Sequence, residues 1–182
     1  IVMTPTRLSD DYKNLNEEKH NNDPNWGCGT GERYEKVIKA AGAHAKTALD
    51  YGCGKGNLRT FCEETFRYDP CNPTYSKRPR GSYDVVFCID VLEHIEPNYV
   101  DNVLDDIHLF MNRHVLFVIS TRKAKHVLSD GTNVHRTIKP LQWWHKKLKE
   151  CYSNVNYLEE YTNAKPGDAV FLASKKLQGF CI

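Results

Sequence analysis

An apolar strand that runs directly into alternating glycines is the feature that most limits how this chain can fold. Residues 48–51 read Ala-Leu-Asp-Tyr, and Gly52, Gly54 and Gly56 follow at every second position. Glycine is favoured where a loop needs positive φ or brings its backbone against a ligand. The acidic Asp50 lies where a bound cation or amine would be welcome. The segment therefore predicts a strand, a tight turn and a nucleotide-cofactor loop, with a spacing that differs from the dinucleotide fingerprint.

Further apolar runs and helical stripes predict the rest of the fold. The predicted strands are 47–51, 67–69, 83–90, 115–120, 156–161 and 169–175, and the predicted helices are 31–45, 57–66, a helix that begins at Pro97, and 141–151. Strands that alternate with helices predict a mainly parallel sheet covered on both faces. The short turn at 165–168 makes the last two strands antiparallel neighbours. The fold class is α/β, a Rossmann-like doubly wound sheet with a C-terminal antiparallel pair.

Three acidic or glycine-rich segments follow strands of this predicted sheet. Asp69 comes at the end of the second strand, and Asp90 ends the run 83–90. Ligands on open α/β sheets bind beyond the carboxyl ends of the strands. We therefore expect both carboxylates and the glycine loop to lie at one edge of the sheet.

Placed together, these segments resemble the class I S-adenosylmethionine-dependent methyltransferases over roughly residues 35–175. The glycine loop is similar to the first motif of that family, which wraps the methionine part of the cofactor. Asp69 lies 19 residues after Asp50 and matches the acidic residue that holds the ribose hydroxyls. The run 83–90 matches the fourth strand of the family, and Val-Leu-Glu-His-Ile at 91–95 matches the segment that follows that strand.

The resemblance implies S-adenosylmethionine as the cofactor and S-adenosylhomocysteine as the product. It assigns cofactor contacts to Asp50, Tyr51, Gly52, Cys53, Gly54, Gly56, Asp69, Pro70, Asp90, Val91 and Leu92. Between Asp69 and Asp84 there are only 14 residues, and three of them are prolines. We therefore expect the third strand of the family to be missing or vestigial.

A second glycine cluster, 27–31, imitates the first but follows a polar segment that cannot form a buried strand. One interpretation is a lid in which Trp26 and Gly27 close over the cofactor. The other is a simple turn before the helix 31–45. We divide the chain into an irregular N-terminal arm or lid at 1–30 and a single methyltransferase domain at 31–182.

Three side chains are candidates for catalysis. His94 and Glu93 follow the fourth strand, close to where the methyl group should lie, and His135 lies in a polar loop after the fifth. Histidine suits a general base near neutral pH if the acceptor is a hydroxyl. A structural role remains the alternative for each of the three.

Bulk properties exclude several classes. The seven cysteines are scattered without a C-x-x-C pair, which argues against a disulfide framework and a zinc knuckle, and we expect no metal. No run approaches the roughly 20 apolar residues of a membrane span, so we expect no membrane partner. Residues 1–10 lack the pattern of a signal peptide, and the expected location is the cytoplasm.

The predicted function is methyl transfer to oxygen or nitrogen of a small-molecule or sugar-like acceptor. One alternative is a nucleic-acid methyltransferase that uses the basic loop 77–80 and the helix 141–151, a partner class that we expect less, and the net charge of +2 says little about partners. Another is a non-catalytic cofactor-binding subunit. The loop 130–135 and the Trp143-Trp144 pair also resemble methyltransferases carried by bacteriophages.

Overall fold

The structure, a computed structural model, describes residues 6–28, 31–162 and 166–175. The α-helices are α1 Asp10–Asn22, α2 Glu35–Gly42, α3 Val100–Phe110, α4 Leu141–Cys151 and α5 Glu159–Thr162. The strands are β1 Thr47–Tyr51, β2 Glu64–Tyr68, β3 Tyr83–Ile89, β4 Met111–Ser120, β5 Ser153–Tyr157 and β6 Asp168–Ser174. Short 3-10 helices occupy Gly31–Tyr34, Leu92–His94 and Pro97–Tyr99.

The strands form one sheet in the order β2-β1-β3-β4-β6-β5. Strands β1 to β4 pair in parallel, and β6 runs antiparallel to both β4 and β5. The predicted doubly wound sheet and its C-terminal antiparallel pair are therefore confirmed. Residues 69–82, all of which are described, contain no strand, so the predicted loss of the third strand is also confirmed.

Apolar side chains cover both faces of the sheet, as the strand β3 requires with its run of buried residues. One face packs against α3 and α4, whose fully buried anchors include Leu104, Ile107 and Trp144. The other face packs against α2 through Val37 and Ile38. These two layers fix the strand ends from which the site is built.

The predicted helix at 57–66 is wrong. Residues 57–63 form no regular element, and 64–68 form β2 instead. Phe61 has φ of +60°, which a right-handed helix does not allow. Parallel pairing with β1, in the register Thr47 to Glu64 and Tyr51 to Tyr68, overrides the local helical preference.

The N-terminal arm is not irregular as predicted, because it contains the 13-residue helix α1. The Ser9 hydroxyl accepts a hydrogen bond from the Tyr12 amide at 3.1 Å and caps this helix. Its buried side chains are Tyr12, Asn16 and His20, and their mostly polar character hid the helical period from the sequence. A small cluster joins Leu8 and Tyr12 to the loops after β2 and β4 through Cys71, Leu128 and Val134.

The division into an arm at 1–30 and a domain at 31–182 stays a prediction. Residues 1–5 and 29–30 of the arm and residues 176–182, which include Cys181, lie outside the described residues. The six cysteines within the described ranges are free thiols. Among the helices of the described segments, none combines the length and the apolar character that a bilayer crossing requires.

Candidate active site

The glycine loop turns sharply at the carboxyl end of β1. The amides of Gly52 and Cys53 both donate to the Tyr68 carbonyl, at 2.7 and 3.1 Å, which ties the loop to the end of β2. Gly52 has φ of +75°, and a Cβ there would lie 2.9 Å from a methyl carbon of Val91. Only glycine fits, because the segment that follows β3 packs directly on this turn.

Asp69 closes the other side of the loop. Its carboxylate accepts hydrogen bonds from the Gly54 amide at 2.9 Å and from the Cys71 amide at 2.8 Å. The Asn72 side chain donates to the Gly54 carbonyl at 2.6 Å. Burial raises the pKa of Asp69, while these amide donors oppose the shift. The structure therefore brings the predicted ribose-binding carboxylate against the glycine loop.

Asp50 is buried at the end of β1, as the sequence predicted for a residue inside a strand. Burial raises the pKa of its carboxyl from 3.8 to about 7, although the positive charge of Arg67 opposes this. One of its oxygens is buried with no hydrogen-bond partner among the described residues. A cationic ligand group would stabilise this carboxylate.

The arm lies directly on the glycine loop. The Gly27 carbonyl accepts a hydrogen bond from the Lys55 amide at 2.8 Å, and the Gly54 Cα lies close enough to exclude a Cβ at Gly27. The Lys55 ammonium donates to the His20 carbonyl at 2.8 Å. Gly27, from the second glycine cluster, is therefore in contact with the first glycine loop.

His20, on α1, is a residue of the site that the sequence did not reveal. Its Nε2 lies 4.0 Å from a carboxylate oxygen of Asp69, and burial lowers its pKa. With Lys55, Asn72 and Tyr75 it lines a cavity of about 350 Å³. The cap at Ser9 and the acidic first turn of α1 were the signals that could have identified this helix.

The three predicted catalytic residues come together in the structure. Nitrogens of His94 and His135 and a carboxylate oxygen of Glu93 all lie within 4.8 Å of one another. The two imidazole rings meet edge to face, with centroids 4.8 Å apart. Burial, and then the charge of Asp90, raises the pKa of Glu93 well above its ordinary value.

Trp26 links the two sides of the site. Its indole meets the His94 ring edge to face at 5.6 Å and the His20 ring at 6.5 Å. A third ring, that of His126, lies 6.1 Å away. The arm therefore spans from the Asp69 side to the histidines.

The sequence profile of a family described as "Methyltransferase domain" matches residues 25–160. The chain belongs to this family. The resemblance to the class I S-adenosylmethionine-dependent methyltransferases is thereby confirmed, and with it the predicted enzyme class and the cofactor, S-adenosylmethionine. The sequence matches no curated protein.

Solved methyltransferase structures share the fold of this methyltransferase at low sequence identity. The N-methyltransferase NodS from Bradyrhizobium japonicum WM9, in complex with S-adenosylhomocysteine, is 14% identical with a TM-score of 0.62, and the match covers 92% of this chain and all of NodS. The 1,6-didemethyltoxoflavin-N1-methyltransferase of Burkholderia thailandensis is 14% identical with a TM-score of 0.60, covering 97% and 94%. Magnesium protoporphyrin IX methyltransferase from Synechocystis PCC 6803 is 12% identical with a TM-score of 0.58, covering 94% and 100%.

The resemblance to methyltransferases assigned cofactor contacts to some residues whose side chains are directed elsewhere. The Tyr51 hydroxyl donates to Asp106 of α3 at 2.9 Å, and the Leu92 side chain is fully buried in the core. Asp90, at the end of β3, has φ of +54°, and Pro70 is half-buried beside Asp69.

Proposed function

We propose that this methyltransferase transfers the methyl group of S-adenosylmethionine to an oxygen or nitrogen of a small-molecule or sugar-like acceptor. The observation that carries the proposal is the convergence of Glu93, His94 and His135, with His94 against Trp26 of the arm that lies on the glycine loop. A protein that only bound the cofactor would have no need for these three polar side chains. The half-buried His94 and His135 are suited to contacting a small polar acceptor, and the fully buried Glu93 lies behind them.

The chain's own groups divide the work of binding. Asp69 would accept hydrogen bonds from the ribose hydroxyls, and the backbone of the glycine loop would contact the methionine part. Asp50 would pair with the cationic amine. When bound, the cofactor supplies the methyl group on a sulfonium, whose sulfur leaves without an acid. The protein then contributes alignment and exclusion of water, up to roughly 7–11 kcal/mol in favourable cases.

The arm would complete the pocket. Trp26 and Gly27 lie over the loop and against His94. This position supports the lid interpretation of the second glycine cluster over the simple turn. Because the Gly27 carbonyl already accepts a hydrogen bond from the Lys55 amide of the loop, the arm would have to shift when the cofactor binds.

Charge pairing removes two of the basic side chains that a nucleic-acid acceptor could use. Within the basic loop 77–80, the Arg78 guanidinium donates two hydrogen bonds to Asp106, at 2.5 and 3.0 Å. On α4, the Lys147 ammonium lies 2.8 Å from Asp101 and 2.9 Å from Glu150. Positive groups that are already paired release few counterions on binding phosphates.

The named acceptors of structural neighbours are consistent with the proposal. One neighbour was crystallised with 1,6-didemethyltoxoflavin, and another is named for magnesium protoporphyrin IX. Both acceptors are small molecules. The cytoplasmic location, the likeness to phage-borne members and the division into arm and domain stay predictions.

The cofactor half of the proposal is tested by calorimetry with S-adenosylhomocysteine. Asp69→Asn removes a charged acceptor, so we expect about 1.5–3 kcal/mol weaker binding, which is roughly 10- to 150-fold in Kd. Asp84→Asn is the matched control, since Asp84 also accepts two amide hydrogen bonds, at 2.8 and 3.1 Å, but at the opposite end of the strands. Unchanged binding in Asp69→Asn would contradict the site.

The acceptor half is tested by following S-adenosylhomocysteine release with panels of phenols, sugars and amines, and with duplex DNA and transfer RNA. We expect turnover with a member of the small-molecule panels, and loss of that turnover in Glu93→Gln with unchanged cofactor binding. Turnover on nucleic acid alone would establish the alternative function of a nucleic-acid methyltransferase. Cofactor binding without turnover on any panel would favour the non-catalytic subunit.

A further inference from the structure

We infer that Glu93, His94 and His135 bind one divalent transition-metal ion, which holds the acceptor. Two imidazoles and one carboxylate form a ligand set that suits manganese, iron, cobalt and zinc, and it leaves coordination positions open. The inference departs from the sequence, which predicted no metal. It rests on three separate observations of the geometry around these residues.

The first observation is the separation of the candidate ligand atoms. They lie within 4.8 Å of one another. Ligand atoms about 2.1 Å from an ion lie at most about 4.2 Å apart. The widest pair must therefore close by several tenths of an ångström, which the half-buried rings of His94 and His135 can supply by rotation.

The second observation is the state of Glu93, which is fully buried. Its Oε1 accepts a hydrogen bond from the Ser120 amide at 2.8 Å. Its Oε2 is buried without a hydrogen-bond partner among the residues that the structure describes. A buried carboxylate oxygen in this state is costly unless a cation or a donor compensates it. Nitrogens of His94 and His135 lie within 4.8 Å of an oxygen of this carboxylate, so an ion held by all three residues would supply that compensation.

The third observation is the orientation of His135. Its Nδ1 lies 2.6 Å from the Arg122 carbonyl, which can only accept, so Nδ1 carries the proton. The lone pair is therefore on Nε2. A backbone carbonyl that fixes the tautomer through the second ring nitrogen is a common outer-sphere partner of metal-bound histidine.

The loop that carries His135 is also fastened to the segment that carries the other two ligands. The amides of Arg136 and Thr137 both donate to the Glu93 carbonyl, at 2.7 and 2.9 Å. The Thr137 hydroxyl donates to the Ile95 carbonyl at 2.7 Å. Residues distant in sequence are thus held together before any ion binds, which reduces the cost of ordering a metal site.

This inference extends the proposed function, because it narrows the acceptor to one with a hydroxyl group. An ion lowers the pKa of a bound hydroxyl. The oxygen–methyl bond then forms as the sulfur–methyl bond breaks. The electron pair of the broken bond stays on sulfur, giving the neutral thioether, and the hydroxyl proton passes to solvent water.

The test is a titration of the chelator-treated chain with Mn²⁺, followed by the six-line electron paramagnetic resonance spectrum of the free ion. Manganese is chosen because it binds nitrogen and oxygen ligands in preference to the thiols of the free cysteines. We expect one bound ion per chain, and binding at least about tenfold weaker in both Glu93→Gln and His135→Ala. His145→Ala is the control, since His145 lies on α4 with its Nε2 3.2 Å from the Val155 carbonyl.

Absence of stoichiometric Mn²⁺ binding, or unchanged binding in Glu93→Gln, would overturn the inference. Thermal unfolding of each variant checks that it folds. If His135→Ala does not fold, the near-isosteric Glu93→Gln alone decides whether the metal site exists. Calorimetry with S-adenosylhomocysteine on the metal-free chain separates the two proposals. Cofactor binding and turnover without Mn²⁺ binding would remove the metal and leave methyl transfer standing.

Discussion

Backbone groups build most of the proposed cofactor side of this site, whereas side chains build the proposed acceptor side. On the cofactor side, the amides of Gly52, Cys53 and Gly54 are fixed by hydrogen bonds to the Tyr68 carbonyl and to Asp69. On the acceptor side, Glu93 and His135 are fixed one by one through their own side-chain hydrogen bonds. The cofactor side should therefore be sensitive to any added atom, and the acceptor side to the loss of particular groups.

The largest expected effect is that of Gly54→Ala. Gly54 has φ of +54°, and a Cβ there would lie 2.7 Å from the Gly27 Cα. The left-handed conformation costs about 1–2 kcal/mol for a non-glycine residue, and overpacking adds about 1–3 kcal/mol. We expect a matching loss in the free energy of unfolding by urea, together with weaker binding of S-adenosylhomocysteine.

Gly81→Ala is the control for this change, since Gly81 has φ of +79° and open space around its Cβ position. It should lose only the conformational part of the stability and keep its cofactor affinity. Equal losses in the two variants would mean that the contact between arm and loop contributes nothing.

A second expected effect is a dependence of stability on pH that comes from Asp50. The folded pKa of Asp50 is about 7 against an ordinary 3.8, so the folded chain holds a proton that the unfolded chain releases above pH 4. Asp50 therefore lowers stability progressively as the pH rises from about 4 to about 7, by a few kcal/mol in all, and no further above that. In Asp50→Asn, urea unfolding should show a flatter pH dependence over this range. A slope identical to that of the unmodified chain would contradict the burial of an unpaired carboxyl.

The acceptor side is tested by Asn133→Ala. The Asn133 side chain accepts from the amides of His135 and Ala124, at 3.0 and 3.2 Å, and donates to the Ala124 carbonyl at 2.9 Å. Losing these hydrogen bonds should remove about 1–2 kcal/mol of the interactions that hold His135 in position. The corresponding loss in kcat is roughly tenfold. Binding of S-adenosylhomocysteine should stay unchanged, and the exposed Asn156 on β5 offers the control Asn156→Ala. A fall in cofactor affinity instead would show that the two sides are not separable.

The smallest effect is expected from Trp26→Phe, at the junction of the two sides. Edge-to-face ring contacts contribute about 0.5–1.5 kcal/mol, and phenylalanine keeps part of them. If the arm shifts when the cofactor binds, S-adenosylhomocysteine should change the tryptophan fluorescence, and Trp26→Phe should abolish the change. Trp143→Phe, on α4, should retain it. A full response in Trp26→Phe would place the movement elsewhere.

The cofactor side could be predicted from the sequence because its signals are local. Glycines at alternate positions after a strand, and an aspartate at the next strand end, carry their meaning within about twenty residues. The missing third strand could be predicted for the same reason, since 14 residues with three prolines cannot hold a helix and a strand. All three acceptor side chains could be named in advance, but their convergence within 4.8 Å depends on how the loop after β4 folds back.

The failures have a common physical cause. Helix α1 is stabilised by contacts with distant loops, and its buried Asn16 and His20 break the apolar period that identifies helices. The segment 57–66 has a helical pattern, but pairing of β2 with β1 decides its structure. In both cases the deciding partner lies far away in sequence.

The missing strand also changes how the molecule meets other chains. Strand β2 becomes the outermost strand of the sheet, and Phe66 on it is 50% exposed. An open edge of this kind invites a strand from another molecule to add to it. Strand β2 is only five residues long, and it exposes the charged Glu64 and Arg67 on either side of Phe66. Its shortness and its charges therefore protect against aggregation. Strand β2 needs this protection because the missing third strand leaves it at the edge of the sheet.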